Sequence, residues 1–228
     1  MDSYLMPSEG FDTLSTALCA TIFYLSHYPY AYSLLADEIR TTFRSSEDIQ
    51  QGERFKECKY LNACINESLR ISPPICTFAP REIEEGGEII DGNLVPEGYI
   101  VGTSIYAIQR NPEYFPRPHV YLPERWLTAD ESQTKAAFIP FSMGPRACIG
   151  SSLAMSELQV TIAVLIWTFD FKLADGDDGL TGKGDPKNRS GRKDPCEFQL
   201  YDRMTTKVEG PKIQLRPSSN ARSDESCC

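Results

Sequence analysis

Cys148 lies in the run Phe141, Ser142, Met143, Gly144, Pro145, Arg146, Ala147, Cys148, Ile149, Gly150. A cysteine at the point where an irregular loop enters a long helix sits at the positive end of that helix. That end favours the thiolate, the form that ligates a metal or acts as a nucleophile. Gly144 and Gly150 permit tight turns and a close approach of backbone to a flat partner, and backbone N–H groups near the sulfur can donate to it. Taken alone, Cys148 reads better as a small buried residue at a helix start, the commoner fate of a free cysteine. Glu67 and Arg70, three apart, share a helix face and can pair. On an exposed helix such a pair contributes little. Gly10, Phe11, Asp12 and Thr13 form a third pattern. The glycine removes bulk, the threonine hydroxyl can bond back to a carbonyl one turn earlier and bend the helix, and a neighbouring carboxylate can handle protons. The same four residues also read as the polar first turn of an exposed helix.

These residues need elements to position them. Ser8 is predicted to cap a helix over 8–27, with Pro7 opposing an earlier start and Pro29 ending it. Leu34, Leu35, Ile39 and Phe43 recur at helical spacing over 31–43. A polar loop over 44–52 leads to a third helix over 55–71, which carries Glu67 and Arg70 and is closed by Ser72, Pro73 and Pro74. Between 75 and 101, Gly86, Gly87, Gly92 and Gly98 separate short apolar pieces, the pattern of strands and tight turns. Residues 102–147 read as loop with brief helical turns, and 149–168 as a strong helix. Its apolar run, 160–169, is shorter than the roughly 20 residues a membrane span needs and reads as a buried face. Residues 169–173 are a candidate strand, 175–194 a polar surface loop, and 198–201 and 212–215 are predicted to pair as late strands.

Together the three patterns resemble the cytochrome P450 family of haem-thiolate monooxygenases. Residues 141–150 match its haem-binding loop, F-x-x-G-x-R-x-C-x-G, at every fixed position. Glu67 and Arg70 match its E-x-x-R helix, and Pro123, Glu124, Arg125 and Trp126 match its later P-E-R-F/W segment. Residues 10–13 resemble its (A/G)-G-x-(D/E)-T motif, with departures at Glu9 and Leu14. The resemblance implies a mainly α fold with small β-sheets (α+β), the C-terminal portion of the family's fold beginning inside the distal helix. Residues 1–216 are then part of that domain and 217–228 a disordered tail. Cys227 and Cys228 are read as belonging to the tail rather than to a prenylation ending.

The resemblance also implies a cofactor, heme b, whose iron takes an axial thiolate from Cys148. Phe141, Gly144 and Gly150 would shape the loop, and Arg146 and Arg81 would meet the propionates. Asp12 and Thr13 would be catalytic, assisting proton delivery to oxygen. A buried ion cluster of Glu67, Arg70 and Arg125 would lock the loop that carries Cys148, since breaking one partner would strand a charge. Residues 75–79, Met204 and Thr205 would line the pocket wall. Gln109, where related chains often carry histidine, is not expected to affect the core chemistry.

The implied reaction inserts one oxygen atom from O2 into an apolar organic substrate, with electrons from a flavoprotein NADPH reductase. The late pattern over 198–211 resembles fungal microsomal members that work in secondary metabolism. Complete members sit on the cytosolic face of the endoplasmic reticulum membrane; a chain without the anchor would be cytoplasmic. Complete members are also about twice as long, so the competing expectation is a truncated, non-catalytic remnant without stable haem binding, exposing a broad apolar face. A net charge of −9 over 228 residues argues against a nucleic-acid binder. Eight cysteines without C-x-x-C spacing and only two histidines argue against zinc.

Overall fold

The computed structural model describes residues 5–78, 80–128, 132–189, 191–203 and 205–224. Its helices are α1 (Leu5–His27), α2 (Pro29–Thr42), α3 (Arg54–Glu57), α4 (Lys59–Ile71), α5 (Ile105–Ile108), α6 (Ser132–Ala137), α7 (Ser151–Thr168) and α8 (Ser219–Asp224). Its strands are β1 (Arg81–Glu82), β2 (Glu88–Ile90), β3 (Asn93–Val95), β4 (Ile100–Val101), β5 (Phe169–Leu173) and β6 (Ile213–Pro217). The strands form three two-stranded antiparallel sheets, β1–β4, β2–β3 and β5–β6. The chain is therefore mainly α with small β-sheets.

The core lies where α1, α2, α4 and α7 meet. Phe23, Leu35, Ile39, Leu61, Ile65, Ile162 and Ile166 are buried there, and each such side chain contributes roughly 1.5–3 kcal/mol on leaving water. On α7, Leu158, Ile162, Ala163, Ile166 and Trp167 face this core, whereas Leu153 and Val164 are exposed. By length and composition alone α7 could cross a membrane.

Several boundaries differ from expectation. α1 is already helical at Leu5 and includes Pro7; a proline in the first turn lacks only an N–H that has no intrahelical acceptor there. Pro29, expected only to end α1, also opens α2, because its fixed φ suits a first helical position. The helix predicted over 55–71 breaks at Cys58 into α3 and α4. The Glu38 carboxylate stabilises the restart, accepting from Tyr60 N at 2.9 Å and Leu61 N at 2.8 Å and so satisfying two N–H groups left open at a helix start.

The late pairing is also different. β6 pairs with β5, with Asp170 opposite Arg216 and Phe171 opposite Leu215, while Tyr201 bridges to Lys207. Complementary charge and the buried Phe171 ring choose that partner: Arg216 Nε lies 3.3 Å from Asp170 Oδ2, and Tyr32 meets Phe171 edge-on at 4.8 Å. Arg40 anchors the same corner, donating through Nη2 to Ile166 O and to Asp170 Oδ1, both at 2.8 Å. The segment expected to be disordered from 217 begins with structure. Pro217 closes β6, Ser218 is buried and donates to Trp167 O at 2.6 Å, and its Oγ accepts from Ala221 N at 3.2 Å. Small polar residues look like a tail in sequence, but a serine that caps a helix looks the same. Cys227 and Cys228 lie outside the described residues.

Candidate functional site

Two short turns shape the loop that carries Cys148. Ser142 N donates to Ile139 O at 2.9 Å and Ala147 N to Gly144 O at 3.0 Å. Ser142 and Gly144 take left-handed backbone, with φ of 60° and 76°, a conformation that glycine adopts without strain. The chain is thereby reversed, so that Cys148 N donates to Phe141 O at 2.8 Å. α7 starts at Ser151 with Gly150 as its cap residue and no side-chain cap, leaving its first N–H groups near the cysteine. The Cys148 side chain is exposed, which removes its reading as a buried packing residue.

A cavity of about 260 Å³ opens beside this loop. α1 contributes Thr13, Leu14 and Ala17; α4 contributes Leu69; Pro74, Ile75 and Ile105 close one side; α7 contributes Ala154 and Leu158; the loop contributes Phe141, Ser142, Arg146 and Cys148. The walls are largely apolar, interrupted by one thiol, one guanidinium and two hydroxyls. Thr13 Oγ1 donates to Gly10 O at 3.2 Å, one turn back along α1. This donor set fits a flat apolar cofactor that takes one soft ligand and carries carboxylates, since a thiolate suits iron and a guanidinium suits a carboxylate.

Other expected site residues stand elsewhere. Asp12 is exposed and lines a separate groove with Ser15, Thr16, Arg203 and Thr205. Arg81 is exposed on β1, donates to Pro80 O at 2.9 Å and is not part of the cavity wall. Among the described residues of 75–79, Ile75 lines the cavity, whereas Cys76 and Thr77 line a groove with Tyr106 and Glu197. Ala79, Met204 and the side chain of Glu9 lie outside the described residues.

Beneath the cavity, Glu67 and Arg70 are fully buried. Arg70 donates to the carboxylate through Nη2 at 2.8 Å and Nε at 3.0 Å. Arg125 Nε adds a bond at 3.1 Å. Burial pulls Arg125 below the usual guanidinium value, and the facing Glu67 opposes that shift. The remaining donors of the two arginines end on carbonyls of the segment 109–120: Gln109, Pro118 and Val120 for Arg70, Pro116 and Arg117 for Arg125. Among the described residues, none of these bonds reaches the Cys148 loop, so the cluster does not hold that loop directly. Sequence reasoning also missed the part of Trp126, whose indole N–H completes the shell of Glu67 at 2.9 Å. Its place in the Pro123–Trp126 turn, beside an arginine aimed at a buried carboxylate, was the available signal.

The family model described as Cytochrome P450 matches residues 3–187. A cytochrome P450 monooxygenase of Gibberella zeae is 43% identical over 207 residues, which is 91% of this chain and 48% of that protein. Cytochrome P450 monooxygenase poxM of Penicillium oxalicum is 41% identical, over 91% of this chain and 38% of its own. Cytochrome P450 monooxygenase apf8 of Gibberella fujikuroi is 42% identical, over 91% of this chain and 57% of its own. The chain thus spans about half the length of the curated relatives it matches.

Proposed function

The chain belongs to the cytochrome P450 family, and on that premise we propose that its cavity holds a haem, to which Cys148 would supply the thiolate ligand and Arg146 a partner for a propionate, in a monooxygenase that oxidises apolar organic molecules. The observation that carries this reading is that Cys148 on the loop and Thr13 on α1 line one and the same apolar cavity. When bound, haem supplies the redox chemistry by which one atom of dioxygen enters a substrate. The protein's own residues supply the rest. The loop presents a thiol at the start of α7, beside the first N–H groups of that helix, which can donate hydrogen bonds toward a ligated sulfur. Arg146 offers a planar fork of donors to a carboxylate. Leu14, Ala17 and Ile75 give walls that exclude water and favour apolar ligands. Thr13 places a hydroxyl at the cavity edge, able to hold or pass a proton there.

Electron supply from a flavoprotein NADPH reductase, residence at the endoplasmic reticulum membrane and work in fungal secondary metabolism belong to the same proposal; they rest on the family, whose relatives here are fungal cytochrome P450 monooxygenases. The test is the carbon monoxide difference spectrum of the reduced, haem-loaded chain. A long-wavelength thiolate Soret band that disappears in Cys148→Ser supports the reading. Free-haem behaviour in the parent favours the alternative, a chain that keeps the fold without stable haem binding.

A further inference from the structure

Glu67, Arg70 and Arg125 hold the segment 109–120 and not the loop that carries Cys148, so something else must connect the two. The structure assigns that connection to Gln109, and we infer that its side chain is the positioning residue that fixes the Cys148 loop against the end of α4.

Gln109 is fully buried, and three of its amide's four hydrogen-bonding directions are used. Nε2 donates to Leu69 O and to Arg70 O, both at 3.1 Å. Oε1 accepts from Ile139 N at 3.0 Å. Its backbone O receives Arg70 Nη1 at 2.8 Å. One residue therefore touches the last turn of α4 by three bonds and the first residue of the loop by a fourth. Ile139 is where the loop's internal bonding begins, because its carbonyl accepts from Ser142 N at 2.9 Å. From Ser142 the chain passes through Gly144 to the closing bond between Cys148 N and Phe141 O.

The energetics favour a specific role over generic packing. An apolar side chain of similar size would fill the space but leave the carbonyls of Leu69 and Arg70 and the N–H of Ile139 without these partners. Buried backbone groups of this kind are costly to leave open. The loop can recover the Ile139 bond by shifting toward water, whereas α4, held on its other faces by the core, cannot move to follow. The strain of losing Gln109 therefore concentrates in the loop. Ring packing of Trp126 on Phe138, with centroids 4.6 Å apart, supports the same junction but lacks direction. The amide fixes register. Gln109 was expected to stand apart from the core chemistry; its bonds place it in the support of Cys148.

The functional meaning of this role rests on Cys148 being the ligand, but the role itself can be tested without haem. The experiment compares the full chain with Gln109→Met and Gln109→His, following amide hydrogen exchange at Ile139, Ser142 and Cys148 against Ile65 in α4, and the alkylation rate of the Cys148 thiol. Methionine keeps the length and removes the three side-chain bonds, leaving the backbone carbonyl's bond to Arg70 in place. Histidine retains one donor and one acceptor. In Gln109→Met, exchange at the three loop amides should rise at least about tenfold, the response to losing roughly 1.4 kcal/mol of local stability, and Cys148 alkylation should change with it while Ile65 stays protected. Gln109→His should recover most of the protection. The inference is overturned if loop exchange in Gln109→Met equals that of the parent, if Ile65 opens as much as the loop, or if histidine does no better than methionine. Should Gln109→Met not fold, the parent decides: an Ile139 amide that exchanges as fast as an exposed one rules out the bond on which the inference stands. A parent that fails to take up added haem yet keeps Ile139 protected would sink the haem proposal and leave this one intact.

Discussion

Trp126 Nε1 lies 2.9 Å from Glu67 Oε2, on the same carboxylate oxygen that Arg70 Nε approaches at 3.0 Å. The other oxygen accepts from Arg70 Nη2, from Arg125 Nε and from Leu122 N at 3.0 Å. A carboxylate with two arginines, an indole and a backbone amide around it is stable in a dry interior only as a complete set. Glu67→Ala should therefore destabilise the chain by roughly 3–5 kcal/mol, because two buried guanidinium groups lose their counter-charge. Trp126→Phe keeps the ring and loses one bond to a charged group, at a cost of about 1.5–3 kcal/mol. Chemical denaturation measures both. If Glu67→Ala unfolds at the denaturant midpoint of the parent, the cluster does not stabilise the fold.

The thiols should divide by burial. Cys148 and Cys196 are exposed, whereas Cys58, Cys64 and Cys76 are buried. Burial pushes the Cys58 thiol up to about 11 and raises Cys64 and Cys76 as well, so none of the three offers appreciable thiolate at pH 8. Alkylation at pH 8 followed by peptide mapping should label Cys148 and Cys196 and spare Cys64. In haem-loaded protein, Cys148→Ser should abolish the thiolate spectrum, and Cys64→Ser and Cys76→Ser should not. Labelling of Cys64 at the rate of Cys148 in folded protein would contradict this division.

Thr13 and Asp12 should separate in function, because Thr13 lines the cavity and Asp12 the groove beside Arg203. In a chain extended to the length of its relatives, and on the proposed function, Thr13→Ala should retain haem binding but yield less product for each NADPH consumed. General-acid help of this kind contributes roughly 10²–10⁴-fold. Asp12→Asn should slow turnover with less effect on that ratio. An unchanged ratio in Thr13→Ala would remove Thr13 from proton handling.

His27 should make stability depend on pH. Burial lowers its pKa, against the hydrogen bond to Phe23 O, and its Nε2 is buried without a partner. The folded state therefore holds His27 neutral, while the unfolded chain takes up a proton near the usual value of about 6.5. Below that pH the unfolded state binds more protons, so stability falls as pH drops, until the folded group itself titrates. His27→Phe keeps a ring against Phe23 and should flatten the loss of stability between pH 7.5 and pH 5.5. An identical slope in parent and variant would assign that dependence to other groups.

The sequence by itself determined what is local. The run 141–150, the i to i+3 spacing of Glu67 and Arg70 and the turn Pro123–Trp126 are contiguous patterns, and they were enough to reach the family and the mainly helical class. Helical periodicity likewise located α2, because a repeat of 3.6 residues needs no knowledge of what covers the buried face, and a long apolar run located α7. The tertiary structure decided partnership. Only packing selects β5 for β6, turns Asp12 away from the cavity that Thr13 enters, brings the Trp126 indole to Glu67 across 59 positions, and closes the Gln109 amide on both Leu69 O and Ile139 N. A buried donor or acceptor must find a partner, but which one is set by the atoms that come within about 3 Å, and residue spacing along the chain does not carry that distance.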